Sequence, residues 1–161
     1  MLKIRDVMTK EVRSVGPELT LTELDAQLVE ARVSGLPVVE DETLVGIVSQ
    51  TDVVRALFGE QREAEQVSAF YGSPFPISIP ALEHLAQDTR RIADHMTKMR
   101  VRDVMTPAPD RVTPEADARE VARLMIRQGF HRVPVVEGER LVGIVTAMDF
   151  VRLLGERGVA S

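Results

Sequence analysis

The sequence predicts an α+β protein. It consists of two copies of one β-α-β-β-α unit, packed around a pseudo-two-fold axis and joined by a partly helical connector. Three observations carry that expectation. The chain repeats itself: Arg5-Asp6-Val7-Met8-Thr9 recurs as Arg102-Asp103-Val104-Met105-Thr106, and Leu44-Val45-Gly46-Ile47-Val48 as Leu141-Val142-Gly143-Ile144-Val145, both offset by 97 residues. Of the 56 gap-free pairs from Arg5/Arg102 to Glu60/Arg157, 23 are identical, where chance alone gives about four. Within each copy an apolar pattern of helical period gives way to short β-rich runs. Finally, a unit of under about 60 residues buries too little surface to stand alone, whereas a chain of about 160 hides roughly 68–70% of its unfolded surface. Two copies are too few for a solenoid, which needs at least about three. The expected division is residues 1–60 for the first repeat, 61–100 for the connector and 101–161 for the second repeat.

Each copy reads the same way. A short turn carries the Arg-Asp-Val-Met-Thr segment, and a short strand follows near Val12–Val15 or Arg111–Val112. An amphipathic helix comes next, with Leu21, Leu24 and Leu28 at helical spacing. Thr20 with Glu23 forms a T-x-x-E capping box, and Asp117 with Glu120 holds the same places in the second copy. Gly129 is placed to end the second helix. Two strands follow, Pro37–Glu40 and Leu44–Ser49, then Pro134–Glu137 and Leu141–Thr146, around the turns Asp41-Glu42-Thr43 and Gly138-Glu139-Arg140. Leu44–Val48 is nearly continuously apolar, which predicts cover on both faces. A closing helix starts near Asp52 or Asp149. The connector carries three prolines and three of the six aromatic residues between Phe70 and Pro80. That composition predicts an irregular segment: a simple packed connector, a lid over a cleft, or a partner contact. Ala81–Met99 is predicted helical.

Composition narrows the function. The chain is 44% apolar and 28% charged, with a formal charge of −5 and no cysteine. An acidic balance disfavours a broad nucleic-acid footprint while leaving room for a local anion site. Absence of cysteine removes disulfides, thiol catalysis and Cys-ligated metal, and fits a reducing, cytoplasmic setting. No apolar run approaches the ~18–20 residues of a membrane span, and the early charges Lys3, Arg5 and Asp6 do not read as a secretion signal. His84, His95 and His131 lack metal-ligand spacing. Paired acids such as Asp41/Glu42 and Glu137/Glu139 fall in turns. Met8 and Met105, at matching positions, read as core filler or partner surface. There is no P-loop, G-x-G-x-x-G or G-x-S-x-G. No catalytic residue, metal or required cofactor is expected.

Two motifs carry the functional reading. Ser34-Gly35-Leu36-Pro37-Val38-Val39 with Leu44-Val45-Gly46-Ile47-Val48-Ser49-Gln50-Thr51-Asp52 resembles the CBS domain, the repeat named for cystathionine β-synthase. His131-Arg132-Val133-Pro134-Val135-Val136 with Leu141-Val142-Gly143-Ile144-Val145-Thr146-Ala147-Met148-Asp149 resembles it again, and the tandem pair resembles a Bateman module. The resemblance implies a non-catalytic regulatory module that binds an adenosine-containing ligand (AMP, ADP, ATP or S-adenosylmethionine) and associates as a homodimer.

The residues themselves allow two roles for Ser49-x-x-Asp52 and Thr146-x-x-Asp149. Each sits where a strand meets a helix, so the pair can cap the helix. Equally, the carboxylate can accept from two ribose hydroxyls, and the helix start suits a phosphate. His131-Arg132 adds cationic groups that the first copy, with Ser34-Gly35, lacks. The resemblance implies clefts that combine the Asp of one repeat with the early loop of the other. The preferred ligand set is then Ser49, Asp52, Thr113, His131, Arg132 and Val133. The second set is Thr146, Asp149, Gly16, Ser34, Gly35 and Leu36, where Gly16 replaces the hydroxyl of Thr113. The alternative is an interaction or scaffold module with vestigial clefts, docking a protein partner without responding to nucleotide.

Overall fold

The computed structural model describes residues 1–58 and 79–157. Nearly all of the Phe70–Pro80 stretch, for which the sequence suggested a lid or a partner contact, lies outside the described residues. Along the chain a 3-10 turn (Ile4–Asp6) precedes α1 (Leu21–Ala31), β1 (Gly35–Glu40), β2 (Thr43–Ser49) and α2 (Gln50–Phe58). Then come α3 (Ile79–Lys98), α4 (Val101–Val104), β3 (Thr106–Pro107), α5 (Ala118–Gln128), β4 (Arg132–Glu137), β5 (Arg140–Thr146) and α6 (Ala147–Arg157). Helix and antiparallel sheet are mixed, as the α+β expectation requires.

The leading strand of each repeat is reduced to one parallel bridge, Val15↔Val38 and Val112↔Val135. Val15 N–H donates to Pro37 O and Val112 N–H to Pro134 O, both at 3.0 Å. Pro17 and Pro114, two residues further on, have no N–H with which to extend a ladder. Helix starts follow the sequence closely. Thr20 Oγ1 accepts from Glu23 N–H, and Glu23 Oε2 accepts from Thr20 N–H at 2.8 Å. The bonds that Thr20 N–H and the Thr20 hydroxyl donate to Glu23 Oε2 hold the Glu23 carboxyl below its ordinary pKa. Asp117 Oδ1 accepts from the N–H groups of Arg119 and Glu120, and Gly129 closes α5 in the left-handed region at φ 69°.

The described chain divides into two compact units. The first is built from Met1–Ser14, Val39–Gly46 and the chain from Pro107 onward; the second from Val15–Val38 and the described parts of Ile47–Thr106. In the first unit β4 runs antiparallel to β5, from Arg132↔Thr146 through Val135↔Gly143, with a bulge at Val135/Val136. β5 meets β2 at Thr43↔Arg140, giving the strand order β1-β2-β5-β4 with β3 on β2. Its core is Ile4, Ala118, Val121, Met125, Val133, Val135 and Val145. In the second unit Val15, Leu21, Leu24, Leu28, Leu36, Val38, Val48 and Val101 are buried.

The leading segments are exchanged. Ile4 N–H donates to Ala116 O, Arg5 N–H to Pro114 O and Ala118 N–H to Leu2 O, each at 3.0 Å. The same pattern recurs in the second unit: Val101 N–H donates to Leu19 O at 2.8 Å, Arg102 N–H to Pro17 O at 3.0 Å and Leu21 N–H to Met99 O at 3.1 Å. Ion pairs Arg5–Glu115 and Arg102–Glu18 accompany them. Each Arg-Asp-Val-Met-Thr segment therefore folds onto the helix start of the other repeat.

β2 corrects one expectation. Leu44, Gly46 and Val48 are buried, whereas Thr43, Val45, Ile47 and Ser49 are only partly so. One face of the strand is sealed and the other incompletely covered, despite the apolar run. The turn before it holds Asp41 and Glu42 at φ 48° and 64°, a left-handed pair that favours Asn-Gly. In the second hairpin Gly138 takes φ 64° without a Cβ penalty. Replacing Asp41-Glu42 by Asn-Gly is expected to raise unfolding free energy by about 1 kcal/mol, read from the urea midpoint at unchanged slope. A fall in stability would show that the Glu42–Arg140 ion pair at 3.7 Å outweighs the backbone strain.

Candidate functional site

The two S/T-x-x-D motifs are complete capping boxes. In the second unit, Ser49 N–H and Ser49 Oγ–H both donate to Asp52 Oδ2 at 2.8 Å, and Asp52 N–H returns to Ser49 Oγ at 3.4 Å. In the first unit, Thr146 N–H and Oγ1–H donate to Asp149 Oδ2 at 2.8 and 2.7 Å, and Asp149 N–H returns at 3.3 Å. The capping reading is realised at both junctions.

Burial separates these boxes from an ordinary cap. The Thr20/Glu23 box is built from the same bonds, yet Glu23 is exposed. The Asp52 side chain is 14% exposed and that of Asp149 only 5%. Each keeps its second oxygen outside the box: Arg55 Nη1 lies 3.7 Å from Asp52 Oδ1, and Arg152 Nη1 donates to Asp149 Oδ1 at 3.4 Å. The carboxylates are therefore half committed. One oxygen fixes the helix start and the other faces cations at the rim, where it can accept further donors.

Within the first unit the structure gathers His131, Arg132, Val133, Thr146 and Asp149 at one end of β4–β5. Arg132 pairs directly with Thr146, so their side chains stand on the same face of the sheet. His131 O accepts from Ala147 N–H at 3.0 Å, tying the loop before β4 to the start of α6. His131 is exposed, Arg132 partly buried and Val133 fully buried. Desolvation lowers the pKa of Arg132, although a guanidinium stays charged at neutral pH. Thr113 lies on the exposed loop after the Val112↔Val135 bridge, with its carbonyl accepting from Ala116 N–H at 3.1 Å.

The second unit repeats this pattern with different side chains. Ser34 O accepts from Gln50 N–H at 2.9 Å, Gly35 and Leu36 are buried at the start of β1, and Gly16 follows the Val15↔Val38 bridge. A Cβ at Gly16 would meet nothing within 4 Å, so space for a Thr113-like side chain exists there. The sequence missed the pairing of Arg132 with Thr146 inside one unit. The strand offset that produces it was legible only once β4 and β5 were placed in register. It also missed Arg55 and Arg152, although their i+3 spacing from Asp52 and Asp149 was a usable signal.

No group of three or more metal-ligating side chains occurs among the described residues. Nor, among these residues, is any helix long and apolar enough to cross a membrane.

A fold of this kind, with two like strand-to-helix junctions each carrying a capping carboxylate, defines a tandem-repeat module. The model of the CBS domain matches residues 4–59 and 101–156, and the chain belongs to that family as a pair of repeats. It is 31% identical over 153 residues to the uncharacterized protein MJ1225 of Methanocaldococcus jannaschii, covering 94% of this chain and 42% of that protein. It is 30% identical over 162 residues to the uncharacterized protein MJ1426 of the same organism, covering 96% and 92%. The chain therefore spans less than half of the first relative and nearly all of the second. Among solved structures, CBSX2 of Arabidopsis thaliana in complex with AMP superposes with a TM-score of 0.68 at 28% identity, covering 97% and 98% of the two chains. CBS-pair proteins are generally regulatory and non-catalytic.

The capping geometry yields a stability expectation. Asp149→Ala strips partners from Thr146 N–H and Oγ1–H in a buried setting, and is expected to cost about 1–3 kcal/mol by urea denaturation. Glu23→Ala, at an exposed box of the same design, should cost visibly less. Equal losses would show that burial adds nothing to the Asp149 box.

Proposed function

We propose that this chain is a non-catalytic regulatory module that binds an adenosine-containing ligand and passes its occupancy on as a conformational or association change. AMP, ADP or ATP is the preferred ligand, with S-adenosylmethionine as the alternative of the same class. The observation that carries the reading is the depth of Asp52 and Asp149. A cap needs no such burial, as Glu23 shows, whereas a carboxylate set in a partly dry junction is suited to gripping vicinal ribose hydroxyls. CBSX2 bound to AMP supports the class of ligand.

Residue roles are assigned by chemistry. In the preferred set, Asp52 takes the ribose hydroxyls, Ser49 and Thr113 offer hydroxyls to phosphate oxygens, and His131 and Arg132 supply positive charge. Val133 gives an apolar wall for the base. The second set, Thr146 and Asp149 with Gly16, Ser34, Gly35 and Leu36, lacks a cationic pair in its early loop and suits a less charged ligand. A nucleotide held this way is sensed and not hydrolysed.

Self-association belongs to the same proposal. Ile126, Met148, Val151 and Leu154 on α5 and α6 are between 56% and 81% exposed. Beside them a concavity of about 390 Å³ is lined by Ala122, Met125, Phe130 and Phe150. An apolar face of this kind favours a homodimer contact. It also suits the scaffold reading, in which a partner docks without nucleotide. The localisation we propose is cytoplasmic, since a cysteine-free chain fits a reducing compartment.

Thermal unfolding with AMP, ADP, ATP and S-adenosylmethionine tests the proposal. A ligand at about 100 times its dissociation constant adds about 2.7 kcal/mol, which raises the melting temperature of a chain this size by roughly 5–10 °C. The rise with AMP or ATP is expected to vanish in Asp52→Ala and Arg132→Ala and to survive in Asp149→Ala. Loss in Asp149→Ala alone would move the dominant site to the second set. No rise with any adenosine ligand, in folded protein free of carried-over nucleotide, would favour the scaffold module.

A further inference from the structure

Residues Leu2–Thr9 touch both parts of the first unit to which ligand roles are assigned. At one end, Ile4 N–H and Arg5 N–H donate to Ala116 O and Pro114 O at 3.0 Å, on the loop that begins with Thr113. Glu115 on that loop pairs with Arg5, and its carbonyl accepts from Lys3 Nζ at 2.9 Å. At the other end, Thr9 and Ile144 exchange a closed pair of backbone bonds, at 2.9 and 3.0 Å. Ile144 lies two residues before Thr146 and so shares its face of β5. The segment thus runs from the Thr113 loop to the Thr146–Asp149 junction.

Its anchoring is uneven. Ile4 is fully buried in the core, whereas Arg5, Asp6 and Thr9 are exposed. Between the two ends Met8 lies over Gly143. A Cβ on Gly143 would fall 2.6 Å from Met8 Sδ and 3.1 Å from Thr9 O, so the close approach depends on glycine at that position. Ile4 anchors the segment, and local opening costs least along its exposed outer part, Arg5–Thr9, which is held by the Arg5 and Thr9 bonds.

We propose that Leu2–Thr9 is a strap anchored at Ile4 whose outer part, Arg5–Thr9, has seated and released states, and that ligand occupancy favours the seated state. The proposal rests on the nucleotide reading above and adds its route of transmission. A ligand that orders the Thr113 loop or the Thr146–Asp149 junction fixes the acceptors on which the strap lies, and so has a differential affinity for the seated state. Linkage makes the effect reciprocal: releasing the strap weakens the ligand by the same factor by which the ligand suppresses release.

Amide hydrogen exchange on the full chain tests this, with AMP as the probe and its binding followed by calorimetry. Saturating AMP is expected to slow exchange at Arg5 and Thr9 by about tenfold, beyond any slowing at Val121 in α5. Without ligand, Gly143→Ala is expected to speed exchange at Thr9 by a similar factor and to weaken AMP equally. Should Gly143→Ala fail to fold, Glu115→Gln removes only the Arg5 ion pair and is expected to speed Arg5 exchange about two- to threefold. AMP binding with strap amides unchanged, or slowed no more than Val121, overturns the strap and leaves the nucleotide reading standing. Absence of AMP binding overturns both.

Discussion

Exchange of the leading segments is the constraint on which the rest of the structure depends. Neither repeat closes its own helix start. Ile4 completes a core made of Ala118, Val121 and Met125 from the other copy, and Val101 is fully buried where its N–H reaches Leu19 O. Removing either segment would leave orphaned carbonyls at a helix start and an apolar hole beneath it, two costs that add. The chain passes between the two contact units four times, at residues 14–15, 38–39, 46–47 and 106–107. A repeat cannot then unfold without withdrawing a structural piece from both units, which favours cooperative unfolding over separate melting of two small domains.

The same economy appears at the junctions that carry Asp52 and Asp149. A carboxylate at N3 of a helix satisfies the cap residue's N–H and stabilises the helix start electrostatically. Because that work is done by Oδ2 alone, Oδ1 is left at the rim, with Arg152 3.4 Å from Asp149 and Arg55 3.7 Å from Asp52. A ribose arriving there would meet a carboxylate already oriented and desolvated, so little ordering cost remains to be met on binding. The arginine beside Oδ1 must share that oxygen or swing away, and at 66% exposure the Arg152 side chain has room to do either. Capping thus occupies one oxygen of each side chain and leaves the other at the rim.

Much of this was legible in the sequence, and the parts that were not share a physical origin. Thr20/Glu23, Ser49/Asp52 and Thr146/Asp149 are local patterns whose partners lie three residues apart, so the helix starts and the capping bonds could be read directly. The exchanged segments could not, because Arg5-Asp6-Val7-Met8-Thr9 and its copy carry no local mark of which helix they lie on; only the hydrogen bonds to Pro114 and Ala116 show it. The leading strands are shorter than their composition suggests, each stopping at one bridge. Pro17 has no N–H with which to continue the ladder past the Val15 bridge. The apolar run Leu44–Val48 gave the strand and hid its asymmetry: cover on the second face depends on what packs there, not on the strand's own composition. Arg132 beside Thr146 was invisible until register was known, since a one-residue slip would place it on the opposite face.

The two copies diverge at positions that their shared scaffold leaves free. Pro37/Pro134, Gly46/Gly143 and Asp52/Asp149 are identical and serve the bridge, the β2 and β5 strands, and the helix cap. Gly16/Thr113, Ser34/His131 and Gly35/Arg132 differ, and each lies on a loop or strand start whose backbone bonds are made whatever the side chain is. Ser34 O and His131 O accept equivalent bonds from Gln50 N–H and Ala147 N–H, at 2.9 and 3.0 Å. Side chains can therefore change at these places without disturbing the fold: two glycines and a serine in the first copy stand where the second has a threonine, an arginine and a histidine. Arg132 is partly buried at the start of β4, and desolvation lowers its pKa. The duplicated scaffold thus keeps its caps and backbone bonds in both copies, while only the second carries an adjacent imidazole and guanidinium before the strand proline.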